Sequence, residues 1–306
     1  MGGWTRWRAR PALLAGVLVL LAACSGGSSA PPPPPPGTVV VGSFDFPESE
    51  VLASIYGQAL EANGIPVRFQ LNLGPRELVE PALLRGLLHL LPEYQGSALG
   101  FLGRGRLATS DPEATHAALV DALGGSGVRA LDSAAAQDAN AFAVTEATAS
   151  AYELRRISDL APFASELVVG GPPECPERPL CLRGLEDVYH LKFQRFVPLD
   201  SGGGLTMSAL AGGDVDVALV FTTDPTVAQR GFRLLEDDRG LEPAENVTPM
   251  VADHLVDRYG ERLTAPLDAV SALLSNDVLV GLNRDVGRGM SPHAVAAAWL
   301  AGQGMD

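Results

Sequence analysis

Nucleophilic, metal and phosphate chemistry each demand particular residues at particular spacings, and this chain supplies few of them. Its five histidines, at 89, 116, 190, 254 and 293, lack the HExxH spacing that would place two imidazoles on one helix face. No GxSxG turn presents a serine nucleophile. Gly103, Gly105 and Ala108 spell GxGxxA, but the string follows a helical stretch instead of opening a strand-turn-helix unit. Ser201 to Gly204 is glycine-rich yet lacks the lysine of a phosphate loop, so it reads as a flexible turn. Cys175 and Cys181 are spaced for a small disulfide loop, with two buried free thiols as the other reading, and no CxxC pair occurs. The run Glu236-Asp237-Asp238 reads as a solvated turn. No catalytic residues, metal ligands or cofactor sites emerge, and the remaining chemistry is that of binding.

The 306 residues suit one or two domains with a sizeable core, and 46% hydrophobic with 19% charged residues is a globular composition. A formal charge of −14 argues against a nucleic-acid partner, which needs a positive field. Residues 1–23 read as an export signal. Arg6, Arg8 and Arg10 precede an apolar run from Pro11 to Ala23 that is too short to span a bilayer. It ends in Leu21-Ala22-Ala23-Cys24, which resembles the lipobox of bacterial lipoproteins, and that resemblance implies lipidation of Cys24. Residues 24–37 then form a linker whose six prolines, Pro31 to Pro36, make a stiff spacer of roughly 19 Å at about 3.1 Å per residue. The expected location is outside the cell, anchored to the outer face of the cytoplasmic membrane.

From Thr38 onward, short β-rich runs alternate with helical periods. Strands are expected at 38–42, 67–71, 87–91, 166–170, 193–197, 215–221 and 247–251. Val51, Leu52, Ile55, Tyr56, Ala59 and Leu60 form a helical stripe ending at Asn63-Gly64, and Leu78–Leu84 also looks helical. Asp111-Pro112 starts a helix that ends near Gly124. Helices are also expected around Leu185 and from Leu205 to Ala211, followed by a helical C-terminal region broken near Pro266 and Pro292. This alternation predicts an α/β protein with mainly parallel sheets covered by helices, in two lobes.

Several ordered strings carry a more specific resemblance. They are Gly42-Ser43-Phe44-Asp45-Phe46-Pro47-Glu48, Leu73-Gly74-Pro75-Arg76-Glu77-Leu78, Pro92-Glu93-Tyr94-Gln95-Gly96-Ser97-Ala98-Leu99, Gly213-Asp214-Val215-Asp216, Phe221-Thr222-Thr223-Asp224 and Leu235-Glu236-Asp237-Asp238. Together they resemble osmoprotectant-binding lipoproteins of ABC importers for glycine betaine, choline and related compounds. The segment Gly171 to Cys181 further resembles the subgroup found in high-GC Gram-positive bacteria. The resemblance implies a two-lobed type II periplasmic-binding fold with a hinge and an interlobe ligand cleft. Residues 38–141 and 246–306 would form lobe 1, and 142–245 lobe 2. It also implies a monomer that delivers its solute to permease subunits driven by a cytoplasmic ATPase. The same fold could instead take another small polar or aromatic ligand, or serve as a surface sensor without transport.

Relatives hold quaternary ammonium groups against tyrosine faces and grip a carboxylate with an arginine and a hydroxyl. Matched position by position, the resemblance assigns Tyr94 to the cage, Ser97 to the hydroxyl and Arg178 to the carboxylate. Because Arg178 lies between Cys175 and Cys181, a disulfide there would pin its loop, and its loss should weaken binding more than stability. Asn140, Phe221 and Glu245 stand where relatives usually carry further tyrosines. Glu245 could then neutralise a cation directly. Phe44, Asp45, Phe142 and Thr222 complete the expected ligand-binding set.

Overall fold

The computed structural model describes residues 1–3, 35–200 and 202–305, so Cys24, most of the signal and linker, and Ser201 lie outside the described residues. The chain divides at Pro36, and the body is the unit Pro36–Asp306. Ten strands form two five-stranded sheets. They are β1 Val39–Gly42, β2 Val67–Gln70, β3 Leu90–Tyr94, β4 Val128–Ala130, β5 Asn140–Thr145, β6 Val168–Gly171, β7 Arg195–Pro198, β8 Val217–Phe221, β9 Phe232–Leu235 and β10 Val247–Ala252. The first sheet has the order β2-β1-β3-β10-β4 and the second β7-β6-β8-β5-β9.

Both sheets are mixed, where the alternation of strands and helices predicts mainly parallel ones. In the first, β1 runs parallel to β2 and β3, whereas β10 runs antiparallel to β3 and β4. In the second, β6 is parallel to β7 and β8, and β5 antiparallel to β8 and β9. The antiparallel strand is in each case the one that enters from the other sheet. It arrives from the opposite end and needs no helical return. Within the β3–β10 ladder Pro92 faces Pro249.

Both faces of each sheet are covered. Val39 and Val41 point into one core and Val40 into another, as the period-2 geometry of a strand requires. In the second sheet Phe142 and Val144 separate from Ala141 and Ala143 in the same way. The helix Pro47–Ala62 is buried along nearly its whole length. Gly57 allows it to lie on β2, since a Cβ there would come within 2.2 Å of the Phe69 ring. The helix at 112–122 is capped as expected, with Asp111 accepting from the Glu113 and Ala114 amides. Pro266 does not break the C-terminal region. It sits inside the helix Glu261–Leu273, whose buried Leu263, Leu267 and Val270 outweigh the one backbone hydrogen bond that proline removes. The strand expected at 87–91 starts three residues later, leaving Leu87 exposed, and β4, β5 and β9 were not anticipated as strands.

Two segments cross between the sheets, at 131–139 and 236–246. They lie side by side: Gln137 bridges Asn246 antiparallel, Asp138 N–H donates to the Glu245 carbonyl at 3.2 Å, and Asn246 Nδ2 donates to the Ala134 carbonyl at 2.9 Å. Pairing into the second sheet begins at Asn140, two residues before the boundary drawn from the sequence.

Candidate functional site

In sheets of this kind functional groups collect beyond the carboxyl ends of parallel strands, where loops meet helix N-termini. Here β1 leads into Ser43–Phe46 and the helix Pro47–Ala62, and β3 ends at Tyr94 before the helix Gln95–Phe101. From the second sheet, β8 ends at Phe221 before Thr222 and Thr223, and β6 leads towards the turn containing Cys175. β5 starts at Asn140, directly opposite Phe221.

An aromatic stack runs from lobe 1 into this junction. Phe44 lies 5.9 Å from Phe46, and Phe46 6.2 Å from Tyr94. The Tyr94 hydroxyl donates to Glu48 Oε1 at 2.6 Å, and Glu48 Oε2 accepts from the Thr223 hydroxyl at 2.7 Å and from Asn283 Nδ2 at 2.5 Å. One buried carboxylate therefore ties both sheets and the helix Asn276–Gly287 together. Asp138, on the first crossover, accepts from the Thr222 hydroxyl and the Thr223 amide, each at 3.3 Å. Burial pushes the Glu48 carboxyl upward against the pull of its three donors. Burial and the charge of Glu48 raise Asp138 well above the usual carboxylate range.

Behind the stack is a second polar cluster. Arg76 grips Glu93 through Nε at 2.5 Å and Nη2 at 3.2 Å, while its guanidinium covers the Phe44 ring at 5.0 Å. Glu80 is fully buried beside this pair, and no conventional donor reaches its oxygens. Burial, then the charge of Glu93, pushes its carboxyl up to about 9, so it carries a proton that it can donate to Glu93. Glu245 accepts from the Ser97 amide and hydroxyl, both at 2.9 Å, and burial pushes it up to about 7 despite those bonds. Glu242, three residues earlier, receives only a long contact of 3.4 Å from Asn140 Nδ2, which also donates to the Leu180 carbonyl at 3.0 Å. An open hollow of about 600 Å³ lies here, lined by Asn140, Thr222, Gln137, Asn276, Ser110 and Glu242.

Tyr94, Ser97, Asn140, Phe221, Thr222 and Glu245 lie at or beside the strand ends. Four others differ. Phe142 is fully buried between Leu219 and Leu235 of the flanking strands, because its position in β5 faces the core, and it contributes to the hollow only from beneath its floor. Phe44 is buried and its π face is covered by Arg76. Asp45 is exposed on the turn after β1. Arg178 is exposed, and its Nη2 pairs with Glu174 on its own turn at 3.1 Å. Glu48, Arg76, Glu93, Asp138, Glu242 and Asn283 also gather here, outside the set expected from the sequence. The signal for three of them was present: Glu48, Arg76 and Glu93 all lie inside the strings that carry the family resemblance.

Cys175 and Cys181 are joined, with their Cα atoms 5.2 Å apart, and both sulfurs are packed in a core of the second lobe. Their turn presents the Leu180 carbonyl to Asn140. Burial shifts the expected balance between binding and stability. Cys175→Ser should lower stability by about 2 kcal/mol in urea melts, and should also weaken ligand binding by releasing Asn140. Identical melts with and without reductant would show that the bridge contributes nothing.

Two mixed α/β sheets, joined by paired crossovers and sharing an aromatic and acidic junction at their strand ends, define a two-lobed solute-binding protein of the periplasmic type. The chain belongs to the family described as the substrate binding domain of the ABC-type glycine betaine transport system, whose model matches residues 37–302. Curated relatives include the glycine betaine-binding protein YehZ of Escherichia coli K12, 29% identical over 286 residues, covering 87% of this chain and 90% of that protein. The carnitine transport binding protein OpuCC of Listeria monocytogenes is 26% identical over 269 residues, covering 86% of each. Among solved structures, a glycine betaine/carnitine/choline ABC transporter protein shares the fold with a TM-score of 0.76 at 24% identity, covering 87% of this chain and 99% of that one. The protein is thus a substrate-binding component of ABC-type import, a transport family and not an enzyme class.

Proposed function

We propose that this protein captures a compatible solute with a quaternary ammonium group, such as glycine betaine or choline, between its lobes and hands it to permease subunits driven by a cytoplasmic ATPase. The observation that carries this reading is the junction itself. A tyrosine in an aromatic stack meets the buried carboxylate of Glu48 where both sheets end, and the neighbouring crossover carries the buried Glu245 and the half-buried Glu242. Aromatic faces and carboxylates are the two groups that stabilise a cation unable to donate hydrogen bonds. The names of the relatives, one for glycine betaine and one for carnitine, point to the same chemistry.

In this reading residues 38–139 with 246–306 form one lobe, the residues between form the other, and the paired crossovers are the hinge. Tyr94, Ser97, Asn140, Phe221, Thr222 and Glu245 are the ligand-facing set. The body works as a monomer tethered through lipid on Cys24, with the proline run as a spacer, outside the cytoplasmic membrane.

Calorimetric titration of the body against glycine betaine, choline, carnitine and ectoine tests the ligand class. At least one trimethylammonium compound should bind, and Tyr94→Ala should weaken it by about tenfold or more, within the range of one desolvated cation–π contact. Tyr94→Phe keeps the ring and should retain most of the affinity. A folded protein that gives no heat with any of the four would end the assignment.

A further inference from the structure

Glu242 is a carboxyl group beside the hollow whose acceptor capacity is left open. Its side chain is half-buried, yet Oε2 is sealed from solvent and has no hydrogen-bond partner, while Oε1 has only the long contact to Asn140. The neighbouring acids are committed. Glu245 spends both oxygens on Ser97. Asp237 accepts from the Tyr189 hydroxyl and from the Leu241 and Glu242 amides, and Asp238 accepts from the Ser158 amide. Of the basic groups nearby, Arg76 is paired with Glu93, and Arg178, on the turn that contributes the Leu180 carbonyl, is paired with Glu174. A buried carboxylate with an open oxygen and no paired cation is costly unless it is protonated or a cation is supplied. Glu242 lines the 600 Å³ hollow, so a solute entering there lies beside this side chain.

We propose that the solute is a net cation that takes the place of a proton on the Glu242 carboxyl, so that capture releases that proton and favours positively charged solutes over zwitterions. This rests on the quaternary-ammonium reading above and adds to it the charge of the preferred solute and a linkage to pH. Burial, then the charge of Glu245, holds the Glu242 carboxyl well above the usual carboxylate range, in the direction that favours a proton there until a cation is supplied. Asn140, bonded to Leu180 of the disulfide turn, remains the single donor on Glu242 and orients it. A zwitterion such as glycine betaine brings its own carboxylate into this acidic surround and loses by like-charge repulsion.

Choline and glycine betaine share the trimethylammonium group and differ in the second charge, so they are the probes. Choline should bind about tenfold tighter or better, and its affinity should rise with pH by up to about tenfold per unit while Glu242 remains protonated in the empty protein. The released proton appears as a dependence of binding heat on the ionisation enthalpy of the buffer, a measurement that needs only the wild-type protein. Glu242→Gln, with its fold checked by circular dichroism, should abolish both the proton release and the pH dependence and weaken choline by about tenfold. Choline binding without proton release, or with equal release in Glu242→Gln, would overturn the proposal while leaving the quaternary-ammonium reading intact. Failure of both probes to bind would remove that reading and this one with it.

Discussion

Replacing Arg76 by methionine should destabilise the body by about 3–5 kcal/mol, the usual cost of deleting one partner of a buried ion pair. Methionine keeps much of the packing over Phe44, so the loss isolates the charge. Glu93 is fully buried and would keep its amide donor from Tyr94 but lose both guanidinium bonds, with Glu80 and Glu245 close enough to feel the same deficit. The pH dependence has a definite sign. Glu80, held up to about 9, and Glu245, up to about 7, bind protons in the folded state that they would release near their ordinary 4.5 when unfolded. Their contribution is therefore fully present at acid pH and falls as pH rises through 7 towards 9. Arg76 lowers both, so its removal should steepen that fall, and Arg76→Met should recover part of its stability in mildly acidic buffer. A second substitution, Glu93→Gln, should restore part of the loss at neutral pH by removing the stranded charge. Urea melts within about 1 kcal/mol of wild type at neutral pH would show that the pair is not structurally important.

The second large effect should come from Glu48→Ala. That substitution leaves the Tyr94 hydroxyl, the Thr223 hydroxyl and the Asn283 amide without their shared acceptor in a dry environment, at a cost of about 3 kcal/mol or more. Because Thr223 follows β8 of the second sheet and the other partners belong to elements packed with the first, the change should also loosen the two halves. Small-angle scattering of the ligand-free variant should show a larger radius of gyration. Thr223→Val, which removes the Thr223 hydroxyl from Glu48 but leaves Asn283 donating to the Thr223 carbonyl, should reproduce part of the expansion with a stability loss nearer about 1 kcal/mol. A stable but expanded Thr223→Val separates the tether from general packing. An unchanged scattering curve in both variants would mean that the lobes are held elsewhere.

Much of the architecture was legible in local pattern. The Asp111-Pro112 cap, the apolar stripe of the helix Pro47–Ala62 and the valine-rich β1, β8 and β10 each announce themselves within a few residues. Strand direction was not legible, because β5 and β10 become antiparallel only through the path of the crossovers, which no short window contains. β9, at Phe232–Leu235, follows a five-residue helix and a turn, too brief a setting for periodicity to register. The site divides in the same way. Tyr94 and Ser97 lie inside one of the matched strings, whereas Glu245 is assigned only by position against the tyrosines of relatives. Phe142 was misplaced because alternation in β5 decides which face it occupies, and residue type alone is silent on that. Asn283 could not have been found, since it reaches Glu48 from 235 positions away.

The place of β10 bears on how the protein is made. It is the last strand in the chain, yet it lies between β3 and β4, which meet only through it. A chain emerging from its N-terminus can complete the second lobe, whose strands are contiguous from Asn140 to Leu235, while the first still waits for residues 247–252. During that interval β3 carries an open edge, the kind of surface on which stray strands dock and aggregation begins. Pro92 sits in that waiting strand with no N–H to offer an intruder, and the strand that finally seals it brings Pro249 to the same point. The sheet that is begun first is thus the one completed last, and the facing prolines sit at the seam that the late strand closes.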